Sequence, residues 1–191
     1  LPLDEVLQLA ARTAMDLADG HGAMVVLREG ERLRVRASTG RRSEPVDESR
    51  PVLGYPLWEQ LGAGQTVLYS DGAQPQALLA TDEGRHGTLS FIAAPLRAGE
   101  NMLGMLKVNA DPVFTFTQRH VAYVQILAES LGAVLQLRSY AAQLSASEQQ
   151  YRSLFDAHPQ PMWVYERGSL RILAVNRAMV RHYGYTEAEL L

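Results

Sequence analysis

Three residues with metal-binding side chains lie close together in "TDEGRHG": Asp82, Glu83 and His86. Two carboxylates and an imidazole suit a divalent cation, but coordination requires that they converge in space, and spacing along the chain does not supply that. A solvated loop accounts for the same residues, and no metal is assigned. His21, His120, His158 and His182 are scattered and read as surface or partly buried rings. The chain has no nucleophile elbow, phosphate-binding loop, zinc-protease helix motif or dinucleotide glycine pattern. It also has no cysteine, which removes disulfides, thiolate nucleophiles, thioether-linked chromophores and most structural zinc sites. No catalytic residue is assigned, and the segment is read as a non-enzyme.

Composition narrows the partners. The 191 residues are 47% hydrophobic and 20% charged, with a formal net charge of −3. That balance gives no electrostatic reason to expect a nucleic acid or an anionic membrane. Basic charge is nearly all arginine, and Lys107 is the only lysine. No apolar run approaches the ~20 residues that span a bilayer, and the first residues lack the basic-then-apolar pattern of a secretory leader. A cytoplasmic location is expected. With no initiator methionine, the chain is expected to be a piece of a longer one.

The elements follow from hydrophobic period. Residues 3–18, "LDEVLQLAARTAMDLA", place Leu3, Val6, Leu7, Ala10, Ala14 and Leu17 on one helical face, with Gly20 as the stop. Two strands, "AMVVLRE" and "RLRVRAS", flank the turn "GER". In the second, Leu33, Val35 and Ala37 alternate with Arg32, Arg34 and Arg36, giving one buried and one wet face. "PLWEQLGAG" reads as a short helix and "QTVLYS" as a third strand; "DGAQPQALLATDEGRHG" reads as a long irregular loop. "LSFIAAPLRAGENMLGMLKVNA" supplies two more strands around a glycine-containing turn.

A long helix follows, capped by Thr115 or Thr117 and running from about 117 to 157 with no proline and only Gly132 as an internal break. At ~1.5 Å per residue it would be about 60 Å long, more than one small domain covers. Val121, Val124, Leu127, Leu131 and Leu135 suit packing on a sheet. Val134, Leu137, Ala141, Leu144, Glu148, Tyr151 and Phe155 then follow a 3-4 spacing, a coiled-coil seam interrupted at Glu148. An amphipathic helix with a frayed end explains the same residues. The favoured reading is a parallel two-helix connector in a homodimer. Beyond Pro159 and Pro161, "MWVYE" and "LRILAVN" form a hairpin around "RGS", and a helix runs from about Asn176 to Gly184.

These segments carry a family resemblance. Residues 1–140 resemble a GAF domain through "GAMVVLREGERLRVRASTG", "LGAGQTVLYSD" and "SFIAAPLRAGENMLGMLKVNA…FTFTQRHVAYVQILAESLGAVLQ". Residues 148–191 resemble the N-terminal half of a PAS domain, through Phe155, the Pro-Met-Trp strand pair, Asn176 and "YGYTEAEL". The resemblance implies an α+β fold: a six-stranded antiparallel sheet flanked by helices, a long C-terminal connector helix, then a partial PAS α/β unit. The domains are placed at 1–138 (GAF), 139–150 (helical linker) and 151–191 (PAS, truncated). In bacterial signalling proteins this order is usually followed by a diguanylate cyclase, a cyclic-di-GMP phosphodiesterase or a histidine kinase.

The resemblance also implies where a ligand would sit. A GAF pocket lies between the sheet and the irregular middle segment, which points to Tyr55, Trp58, Tyr69, Asp71 and Phe91. Aromatic rings there would stack on a planar small molecule while Asp71 accepts hydrogen bonds; core filling explains the same aromatics. The cyclic-nucleotide signature is not matched, because Lys107 and Asn109 stand in the wrong order and His120-Val121 replaces the acidic pair after Phe116. Cyclic GMP is therefore disfavoured, and the missing cysteine disfavours covalent bilin. The seam residues expected to meet a second copy are Val134, Leu137, Ala141, Leu144 and Tyr151. A GAF unit that only dimerises, with no small-molecule site, remains the alternative.

Overall fold

A computed structural model describes residues 1–70, 90–111 and 116–191. Its contacts divide the chain into two compact units, Leu1–Gln136 and Leu137–Leu191. Among the described residues no helix is long and apolar enough to cross a membrane.

The first unit is a six-stranded antiparallel sheet in the order β3-β2-β1-β6-β5-β4. The strands are β1 (Gly22–Glu29), β2 (Arg32–Gly40), β3 (Ser49–Pro51), β4 (Val67–Ser70), β5 (Ser90–Ala98) and β6 (Asn101–Ala110). Two helices precede β5, α1 (Leu3–Leu17) and α2 (Pro56–Gly62), and α3 (Gln118–Ala157) follows β6. The α+β architecture is thus the one the resemblance implied. Strand β3 has no counterpart in the periodicity reading, since three residues ending in proline at a sheet edge are too short to show a period.

Each face of the sheet carries its own core. On one side Leu7, Ala10, Ala11 and Ala14 of α1 and Val124, Ala128 and Leu131 of α3 pack on Val25, Ile92, Ala94, Leu96, Leu106 and Val108. On the other, Tyr55, Leu57 and Leu61 at α2 cover Met24, Val26, Leu33, Val35, Phe91, Ala93 and Met105. Complete burial of a leucine is worth about 1.5–3 kcal/mol, so these two layers, not the polar surface, hold the unit together.

The alternation in β2 survives with one change. Leu33, Val35 and Ala37 are all buried, but Val25 pairs with Ala37 while Val26 pairs with Val35. One extra residue in β2 thus moves Ala37 to the α1 side, as a bulge does. Arg34 and Arg36 stay on the surface, paired with Glu29, Asp47 and Asp4.

Helix α3 is a single element of 40 residues. At its start the Thr117 N–H donates to His120 Nδ1 at 3.2 Å, and the Thr117 carbonyl accepts from the Val121 N–H, so Thr117 serves as the cap. Thr115 lies outside the described residues. Gly132 does not break the helix. A Cβ there would lie 2.5 Å from the Arg97 carbonyl oxygen, so the glycine lets helix and strand backbones meet.

In the second unit, β7 (Trp163–Tyr165) and β8 (Ile172–Val175) form a hairpin followed by α4 (Arg177–Tyr183) and α5 (Glu187–Leu190). Asn176 organises it. Fully buried, its Oδ1 accepts from the Met162 and Met179 N–H groups at 2.9 Å, and its Nδ2 donates to the Gln160 carbonyl at 2.9 Å. Gly184 ends α4 in the left-handed conformation at φ 78°, a position a side chain would strain. The reading of one terminal helix is corrected to two. Thr186 caps α5, and the Glu189 carboxylate accepts from the Thr186 N–H, a bond that holds this carboxyl below its ordinary pKa.

Candidate functional site

The candidate face is the side of the sheet beneath α2. Inward positions of β6 alternate as Met105, Lys107 and Asn109, while Leu106, Val108 and Ala110 point to α1 and α3. Register places Asn109 opposite Phe91, which is opposite Tyr69; Lys107 lies opposite Ala93 on one side and Met24 on the other. The result is an apolar floor with two adjacent polar groups.

Lys107 is 2% exposed, and its Nζ sits 4.6 Å from the centroid of the Phe91 ring, within cation–π range. The Phe91 ring in turn meets that of Tyr69 at 5.3 Å and 33°. Asn109 is 3% exposed and half satisfied. Its Nδ2 donates to the Arg42 carbonyl at 2.8 Å, whereas its buried Oδ1 has no hydrogen-bond partner among the described residues. Because a carbonyl only accepts, the nitrogen must face Arg42 and the oxygen must be the orphan. An unsatisfied buried acceptor costs about 1–3 kcal/mol, which a donor from a bound molecule would recover.

The Arg42 backbone is fixed in place above this end of the sheet. A Cβ on Gly22 would lie 2.3 Å from the Arg42 carbonyl carbon, so only glycine admits the segment. The Arg42 N–H donates to the His21 carbonyl, its Nε donates to Asp111 Oδ1 at 2.6 Å, and Arg41 Nη2 donates to Asp111 Oδ2 at 2.5 Å. These bonds, the one from Arg42 foremost, hold the Asp111 carboxyl below its ordinary value of 3.8. His21 Nδ1 lies 3.0 Å from both the Asp111 N–H and Asp111 Oδ2.

The residues expected to line the site are brought partly together. Tyr55, at the start of α2, is 2% exposed and Phe91 is 1% exposed. Trp58 of α2 and Tyr69 of β4 pack, half-buried, against the same cluster. Asp71 lies outside the described residues, as do Asp82, Glu83 and His86. Among the described residues no group of three metal-ligating side chains converges. Lys107 and Asn109 were not read as site residues. The available signal was two polar residues at alternate inward positions of an otherwise apolar strand.

The seam residues are all on α3. Val134 is 39% exposed, Leu137 71%, Leu144 63% and Tyr151 72%, and Ala141 is exposed as well.

Comparison with known proteins places the fold. Residues 1–136 match the family model described as "GAF domain". The chain belongs to the GAF family. Residues 149–191 match the model described as "PAS domain". Both families are sensory rather than catalytic. The GAF unit is similar to the blue-light-absorbing form of the PixJ GAF domain of Thermosynechococcus elongatus, with 14% identity over 77% of this chain and 92% of that one, at a TM-score of 0.64. It is also similar to a phycocyanobilin-bound GAF domain from a cyanobacterial phytochrome (13%, 72% and 86%, TM-score 0.63). The second GAF domain of DevS from Mycobacterium smegmatis matches at 18% identity over 73% and 97%, TM-score 0.59. At such identities the likeness concerns the fold alone. No curated protein matched the chain in sequence.

Proposed function

We propose that this chain is the sensory and signal-transmitting region of a bacterial, cytoplasmic signalling protein. Its GAF domain (1–138) binds a small molecule against the α2 side of the sheet. The helical linker (139–150) relays the bound state, as part of a homodimer, to the PAS domain (151–191). An effector of the diguanylate cyclase, cyclic-di-GMP phosphodiesterase or histidine kinase class receives the signal. Tyr55, Trp58, Tyr69, Asp71 and Phe91 line the site, with Lys107 and Asn109 as its polar floor.

One observation carries this reading: an acceptor orphaned among the described residues, Asn109 Oδ1, is buried on an apolar, aromatic floor beside Lys107. A core meant only to be filled has no use for it, since a leucine would pack there without desolvation cost. A planar molecule bearing an N–H donor complements it. The absence of cysteine from this segment disfavours a covalent bilin.

The ligand-free scaffold has its own support in the near-complete burial of Tyr55 and Phe91, which pack as core. Thermal denaturation against a bilin, flavin mononucleotide and mononucleotides separates the two. A sensor gains several degrees with at least one of them, and Asn109→Leu loses that gain. A scaffold is unmoved by the whole panel.

A further inference from the structure

We propose that a second copy of this chain packs in parallel along the α3 face bearing Leu137, Tyr140, Leu144, Ser147, Tyr151 and Leu154, not along the face of Ala141 and Glu148. This rests on the dimeric-relay reading above and decides which face of the helix does the pairing. Both faces share Leu137, Leu144 and Tyr151, so 3-4 spacing in the sequence fits either one.

Ala141 and Glu148 are exposed and Ser147 is half-buried, so it is large apolar exposed surface, at Tyr140 and Leu154, that separates the two faces. Tyr140 is 59% exposed, Leu144 63% and Leu154 61%, large apolar surface that the second unit leaves in water. Phe155, which only the other face requires, is half-buried; with Glu148 and the shared Tyr151 it lines a groove of about 1190 Å³ beside Val164, Leu173 and Val175 of its own unit. That side of α3 already serves the hairpin.

Charge separates them as well. In a parallel two-fold pair each seam residue faces its own copy. The Ala141 face would set Glu148 against Glu148 in an apolar seam, two desolvated like charges without a counter-ion. On the Tyr140 face Glu148 becomes a flanking position. The opposite flank then carries Gln136, Gln143 and Gln150, one every heptad, and Gln143 can donate to Glu148 of the second copy. Arg138, Arg152 and Asp156 fall on the outer side. Upstream the same spacing continues through Ser130 and Ala133 to Ile126, itself 61% exposed. From Ile126 to Leu154 the stripe covers about four heptads, apolar except for Ser130 and Ser147.

The absence of native cysteine makes the test clean. Single variants Tyr140→Cys, Ser147→Cys, Ala141→Cys and Glu148→Cys are oxidised under mild conditions and scored on non-reducing gels, with circular dichroism checking that each folds. Rapid disulfide dimers are expected at positions 140 and 147, several-fold faster than at 141 and 148. The reverse ranking would overturn the face assignment while keeping the dimer. Monomer by sedimentation at high micromolar concentration, with no variant crosslinking, would overturn both.

Discussion

Truncating Phe91 to alanine should destabilise the GAF unit by about 3–5 kcal/mol, the range for deleting a buried aromatic ring. Phe91 is 1% exposed, stacks on Tyr69, and lies beneath the Lys107 ammonium. Its removal opens a cavity on the α2 face and strips a buried cation of its ring contact, two penalties at one position. Leucine fills most of the volume, so Phe91→Leu should cost less than about 1.5 kcal/mol in packing. Chemical denaturation of both variants measures the pair. If alanine costs no more than leucine, the ring is not packed as described.

Replacing Gly132 by valine should cost about 3 kcal/mol, the upper part of the range for overpacking a core. Helix propensity favours alanine over glycine by about 1 kcal/mol, so an exposed Gly132 would be improved by substitution. Here the added carbon meets the Arg97 carbonyl oxygen at 2.5 Å and the Arg97 nitrogen at 3.0 Å, both backbone atoms that cannot swing aside. The helix must lift from the sheet, loosening Val124, Ala128 and Leu131. The same denaturation curves report the loss; an unchanged midpoint would mean that α3 does not approach β5 so closely.

Gly132 also shows where sequence reading ends. It read as an interruption, because composition records a helix-weak residue but not the backbone lying against it. The long elements were legible, since α1, β1, β2, β5, β6 and α3 each carry a full period of apolar residues. Strand β3 was not, being three residues at an edge, and α5 depends on a local cap more than on periodicity. The bulge that turns Ala37 toward α1 leaves no mark in a stretch whose apolar and arginine residues alternate regardless.

The candidate site was legible by residue type and not by environment. The aromatics followed from family resemblance, and Tyr55, Trp58, Tyr69 and Phe91 do share one cluster. Lys107 and Asn109 were visible only as a signature in the wrong order. That Asn109 keeps a buried oxygen without a donor among the described residues depends on Arg42, 67 residues earlier in the chain, being held over Gly22. Contacts of that separation cannot be read from local spacing.

The central claim is that the α2 face of the GAF sheet is built around a small molecule. Native mass spectrometry of the chain purified from bacterial cells tests it most directly, comparing wild type with the double variant Lys107→Met, Asn109→Leu. The account predicts that wild type flies with a discrete mass above its 21.1 kDa polypeptide and that the folded double variant flies bare. An adduct retained undiminished by the double variant, or a bare wild type that gains no mass with any member of the bilin, flavin and nucleotide panel, would contradict it.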